Sequence, residues 1–197
     1  MKTSSLIVLA GVSFMASCGN GNNGTKTEDS VSNKEGQAMV TQPDTTLKTA
    51  TVAVDQKTAD FAIAAANAGM KEIELAKWEQ EYGTRQDAKD FAGMMITDHT
   101  NAANELKRIA STKSLTLPNL VPDSERENMD KMKTKKQGKE VDKAYVNEMV
   151  DDHRKAVKLF EDAAKDVTDM DLKNFASQTL PVLQKHFDHI KAIKAKM

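Results

Sequence analysis

The chain has 197 residues, 39% of them hydrophobic, with 28 Lys and Arg against 29 Asp and Glu; this suits one packed domain with attached segments better than two domains. So neutral a balance excludes a nucleic-acid grip, which needs a clustered basic excess. The run KMKTKK at 131–136 lies beside Asp130 and Glu140 and reads as a solvated face.

Residues 1–18 form the first predicted element. Lys2 precedes an apolar run from Leu6 to Met15, too short to span a bilayer and suited to the core of a secretory signal. The run ends in MASC, with small residues leading into Cys18, the only cysteine. This resembles the bacterial lipoprotein cleavage box, and the resemblance implies lipidation of Cys18 and a membrane-anchored product of the cell envelope, with the outer membrane as the expected location. A lone thiol in an exported chain has no internal disulfide partner, which agrees with an anchoring role. From residue 19 to 55 the chain is rich in Asn, Gly, Thr, Ser and Asp and has no aromatic residue. Such a segment buries too little apolar surface to offset its ordering entropy, and a disordered tether is expected there.

The folded domain is expected over 56–197, and every long segment in it repeats at helical period. Helix one, about 57–82, carries Phe61, Ala65, Glu72, Leu75 and Glu79 on one stripe, and Gly83 marks its end. Thr84 with Asp87 predicts a capping box for helix two, about 85–112, whose stripe is Phe91, Met95, Asp98, Ala102, Leu106 and Ile109. A connection marked by Pro118 and Pro122 follows, with a short helix opened by Ser124 and closed by Gly138. Helix three, about 140–167, repeats the stripe as Tyr145, Met149, Asp152, Ala156 and Phe160. Thr168 with Asp171 predicts a cap for helix four, about 170–195, carrying Phe175, Val182, His186 and Ile190. DAKDFA at 87–92 matches DLKNFA at 171–176, as Phe61 matches Tyr145 and Thr84 matches Thr168, so the first hairpin corresponds to the second. The predicted fold is an all-α four-helix bundle of two hairpins joined by a long crossover that contains a short helix.

The polar residues on these stripes carry the chemistry. MITDHTNAANEL at 95–106 and MVDDHRKAVKLF at 149–160 each hold an Asp-His pair, Asp98-His99 and Asp152-His153. At about 100° per residue both pairs flank the centre of their stripes, and Glu72 and His186 lie at the middle of theirs. His189 lies further to the side, and Glu74 points to solvent. Each of the four groups Glu72, His99, His153 and His186 is about 13 to 16 residues into its helix, so all fall near mid-bundle. An unpaired carboxylate there costs several kcal/mol, on the order of what folding leaves as net stability, so these groups must bind one another, water or a metal.

Two chemistries meet that demand. In one, Glu72, His99, His153 and His186 ligate a transition metal, with zinc, copper or iron suiting three imidazoles and one carboxylate. Asp98 and Asp152 then each accept the second N–H of an imidazole on another helix. In the other, no metal is present and the six groups form a closed network that fixes helix register. The eleven methionines include Met94, Met95 and Met149 at helical spacing, where core filling is the expected role. Trp78 falls on the outer side of helix one, where it is expected to pack under the tether or the crossover or to contact a partner.

The runs FAIAAANAGMKEIELAKWE, FAGMMITDHTNAANELKRIA, YVNEMVDDHRKAVKLF and FASQTLPVLQKHFDHI resemble a ferritin-like family of bacterial envelope proteins, a domain of unknown function whose members are often labelled outer membrane proteins. The resemblance covers about 56–194 and implies a ferritin-like bundle in the envelope with no settled activity. Ferritin and di-iron oxidase sites use Glu-x-x-His on two helices; here Ile96 stands three residues before His99, and Val150 before His153. Ferroxidase activity is therefore not expected, and the catalytic residues of any enzyme function stay undefined. Three functions follow: a metal-binding envelope protein, a metal-dependent oxidoreductase with an open coordination position, or a non-catalytic envelope module whose polar core only stabilises it. The membrane, through the lipid anchor, is the one partner the sequence indicates.

Overall fold

A computed structural model describes residues 53–134 and 136–197. The signal, Cys18 and nearly all of the tether lie outside the described residues. Every regular element within them is a helix: α1 (Gln56–Tyr82), α2 (Gln86–Thr112), α3 (Asp123–Lys133), α4 (Lys139–Asp166) and α5 (Met170–Lys194). None is long and apolar enough to cross a membrane. The four long helices lie within a residue or so of their predicted spans.

Helices α1 with α2 and α4 with α5 form hairpins, and the two hairpins pack through α1 against α4 and α2 against α5. Contacts at the two ends fix the directions. Thr84, in the α1–α2 loop, donates through Oγ1 to Asp142 Oδ2 at the start of α4 (2.6 Å). Thr168, in the α4–α5 loop, donates to Asp55 at the start of α1. Packed neighbours are thus antiparallel, and the 113–138 crossover returns along the length of the bundle, as one long connection requires. Its short helix is held by ions: Lys133 Nζ meets Glu74 Oε1 at 2.7 Å, and Lys71 Nζ meets Glu125 Oε2 at 3.5 Å. Glu74, expected in solvent, is half-buried by this contact. Trp78 is buried in one apolar cluster with Val121 and Met129 of the crossover, which covers it.

The helix ends differ from their predicted caps. Thr84 does not cap α2. Asp142, reaching from α4, accepts from Thr84 N (2.7 Å) and Arg85 N (3.0 Å) and so satisfies the free amides at the start of α2 from another helix. The N-cap of α5 is Asp169, which accepts from Asp171 N and Leu172 N, both at 3.1 Å; Thr168 is committed to Asp55 instead. Gly138, predicted to close the short helix, is the N-cap of α4, at φ 57°, while α3 stops at Lys133. Gly83 does end α1, in extended rather than left-handed backbone. The reason for glycine there is close approach, since a Cβ would fall 2.7 Å from the backbone carbonyl oxygen of Glu79.

Two apolar clusters fill the interior. One contains Leu75, Phe91, Met95, Tyr145, Met149 and Ile190, and the other Phe61, Leu106, Ile109, Phe160, Phe175 and Leu183. In the second, Phe61 meets Phe160 edge-to-face at 5.2 Å. Met95 and Met149 are wholly buried, as core filling requires. Glu72, His99, His153 and His186 lie along their helices between the two clusters.

Candidate metal centre

Each long helix sends one polar group to that middle layer, because its apolar stripe is interrupted there by a titratable residue. Glu72 comes from α1, His99 from α2, His153 from α4 and His186 from α5, and all four are buried. The three imidazoles converge, with ring centroids 5.9 Å apart for His99 and His153, and 5.6 Å for each of the other two pairs. Taking one nitrogen from each, the three donor atoms lie within 4.8 Å of one another. Phe91 closes one side, its ring 6.1 Å from that of His153 and 6.2 Å from that of His186.

In each ring one nitrogen is committed and the other is free. His99 Nδ1 lies 3.0 Å from Glu72 Oε2. His153 Nδ1 donates to the carbonyl of Met149 one turn back, at 2.9 Å. His186 Nε2 lies 2.9 Å from Asp98 Oδ2 on α2. The remaining atoms, His99 Nε2, His153 Nε2 and His186 Nδ1, are buried and have no hydrogen-bond partner. Buried polar atoms are rarely left so, because each unpaired one costs about 1–3 kcal/mol. Imidazoles oriented through one nitrogen and open at the other form the donor set of a metal site.

Of the predicted residues, the structure therefore joins the three histidines and places Asp98 on a histidine of another helix. Glu72 sits behind His99, at the nitrogen remote from the free one; its Oε1 is 3.8 Å from His153 Nδ1, again on that ring's committed side. Asp152 does not reach an imidazole. It pairs with Lys71 Nζ at 2.9 Å, and the same ammonium meets Glu148 Oε1 at 2.6 Å. His189 is exposed, its ring 5.3 Å from Phe91.

The electrostatics follow from burial. Desolvation, with the neighbouring His153 and His186, lowers His99 to about 3. Desolvation lowers His153 to about 4, against the hydrogen bond to Met149, and lowers His186 against the pull of Asp98. Glu72 is raised to about 8 by desolvation and by the charge of Asp152. At neutral pH all three rings are uncharged, each with one lone pair, and Glu72 is mostly protonated. Burial also works against charge on Lys71, yet Asp152 and Glu148 outweigh it and raise its pKa.

Sequence reasoning missed Lys71, Glu148 and Asp142. Lys71 lies off the centre of its stripe and is buried only because α3 and α4 bring carboxylates to it. Glu79 stood on the α1 stripe as a visible signal, and it is wholly buried. Desolvation and the neighbouring Asp142 raise it to about 8.

Residues 43–193 match the family described as "Domain of unknown function (DUF4142)". The chain belongs to this family. No curated protein sequence matches it. Among solved structures, a DUF305 fragment from Deinococcus radiodurans is similar at TM-score 0.63 and 9% identity, over 74% of this chain and 99% of that one. A DUF305 protein from Streptomyces coelicolor, described as secreted, is similar at TM-score 0.60 and 15% identity, over 71% and 93% of the respective chains. At these identities the likeness concerns the fold alone.

Proposed function

We propose that this member of the DUF4142 family is an exported envelope protein whose bundle binds one transition-metal ion through His99, His153 and His186. Two observations carry the reading: one nitrogen from each of the three buried imidazoles lies within 4.8 Å of the others, and each ring keeps one nitrogen without a hydrogen-bond partner. A network closed on itself would leave none of them free. Bond lengths of about 2.0–2.1 Å would bring tetrahedral ligand nitrogens to about 3.3 Å apart, so binding draws the rings together by small rotations. Three neutral imidazoles suit zinc, copper or iron. Glu72 and Asp98, on the far nitrogens of two ligands, orient the rings and together supply the charge that offsets a dication. In this reading Glu72 supports a ligand and is not one. Export and anchoring at Cys18 are supported by the signal-like N-terminus, and export also by the secreted description of the Streptomyces protein.

Elemental analysis of protein purified without added metal is expected to give about one equivalent of a first-row metal per chain. His99→Ala, His153→Ala and His186→Ala are each expected to abolish it. A chain that stays metal-free after incubation with zinc, copper(I) and iron(II), while the alanine variants merely melt earlier, would show the polar layer to be structural only.

A further inference from the structure

The internal repeat has a chemical consequence at the middle of the bundle. Shifting by the 84 residues that relate Thr84 to Thr168 and Phe91 to Phe175 carries His99 to Leu183, His186 back to Ala102, His153 back to Gly69 and Glu72 to Ala156. The two ends of the bundle show a similar exchange, in a register shifted by three residues: each hairpin's loop threonine bonds to an aspartate near the start of the other hairpin. The four residues standing in the equivalent places all line one cavity of ≈ 80 Å³. Two of its other walls are Phe160 and Phe175, and its polar members are His99 and His186 with Glu72, Asp98, Thr179 and Lys107. Each hairpin thus supplies polar residues to one side of mid-bundle and glycine, alanine or leucine to the equivalent places on the other, which leaves a hollow.

We propose that this hollow is a binding chamber for a small, uncharged, apolar molecule of the size of a diatomic gas, seated against His99 and His186. Size argues for that class, because ≈ 80 Å³ is well below the roughly 150 Å³ of a cavity that takes up benzene. Lining argues for it as well, since most of the wall is apolar and would strip hydration from a charged ligand over most of its surface. His99 and His186, 8% and 2% exposed, each keep one ring nitrogen without a partner, so the occupant lies against two imidazoles with hydrogen-bonding capacity to spare. The chamber stands whether or not metal binds; its role as the anteroom of a metal rests on the function proposed above.

Xenon is the probe of the chamber alone. Crystals pressurised with xenon are expected to show the gas between Ala102, Gly69, Ala156 and Leu183, with or without metal, and Ala102→Leu is expected to exclude it while leaving metal content unchanged. Leu183→Phe fills the space from the opposite wall and serves as a second variant if the first folds poorly. No xenon in the unaltered protein overturns the chamber regardless of metal content. Carbon monoxide added to copper(I)-loaded protein, followed by its infrared stretch, tests the link to the metal. Filling the chamber is expected to weaken its binding about tenfold or more, and an unchanged affinity breaks the link. Failure to load copper bears on the metal reading, and xenon still decides the chamber.

Discussion

At the scale of single residues, the function turns on which nitrogen of each ring is free. His186 presents Nδ1 because Asp98 holds Nε2 at 2.9 Å, whereas His153 presents Nε2 because its own helix holds Nδ1. Removing the charge of a supporting partner should therefore weaken metal binding without removing a ligand. Asp98→Asn is expected to lower metal affinity about 10–100-fold, with stoichiometry kept, in competition titrations against a chelator. Unchanged affinity would mean that the Asp98–His186 contact serves packing alone. Glu72 behaves differently because it holds a proton at neutral pH when no metal is present. A cation at His99 Nε2 favours its ionised form, so loading at pH 7 is expected to release about one proton, measured by calorimetry in buffers of different ionisation heat.

At the scale of the helices, the ends are tied across hairpins instead of within them. Asp142 is wholly buried and accepts two backbone amides and the Thr84 hydroxyl. Truncating it takes the charged acceptor away from two backbone amides and a hydroxyl at a part-buried helix end. Asp142→Ala is expected to destabilise the protein by about 2–3 kcal/mol in denaturant unfolding. Thr84→Val deletes one hydroxyl contact and should cost about 1 kcal/mol. Equal effects of the two would contradict the cross-hairpin cap, because only the aspartate serves the backbone of α2.

For the molecule as a whole, the buried titratable groups set a stability profile with two opposing slopes. His99 and His153 fall from 6.5 to about 3 and about 4 on folding. The unfolded chain binds more protons there, so stability is lost as pH falls from 6.5 through those values. Glu72 and Glu79 rise from 4.5 to about 8. The folded chain binds more protons at these two, so stability present below 4.5 is lost as pH rises toward 8. His186 is lowered on folding too and Asp152 is raised, so between 4.5 and 6.5 the three histidines act against the two glutamates and Asp152, and their slopes largely offset. The melting temperature of metal-free protein is therefore expected to be nearly flat from pH 4.5 to 6.5 and to decline on both sides. Glu79→Gln is expected to remove about half of the alkaline decline, and a steady rise from pH 6.5 to 8 would contradict the burial of both glutamates.

The sequence by itself determined the helices, the two-hairpin bundle and the depth at which its histidines lie, because a 3.6-residue period and a constant rise convert position directly into face and height. His99, His153 and His186 were legible for that reason, and so was the crossover, whose length exceeds what a tight turn needs. Only the tertiary structure decided how those groups pair. Glu72 and Asp152 have similar positions on their stripes, yet one meets an imidazole and the other an ammonium, because Lys71 is brought to Asp152 by the packing of α1 against α4. The caps were misread for the same reason: Thr84 and Thr168 bond to residues far away in the chain. Local spacing fixes where a side chain starts, whereas its partner is chosen by whichever polar atom from another helix lies within hydrogen-bonding distance once water has been excluded.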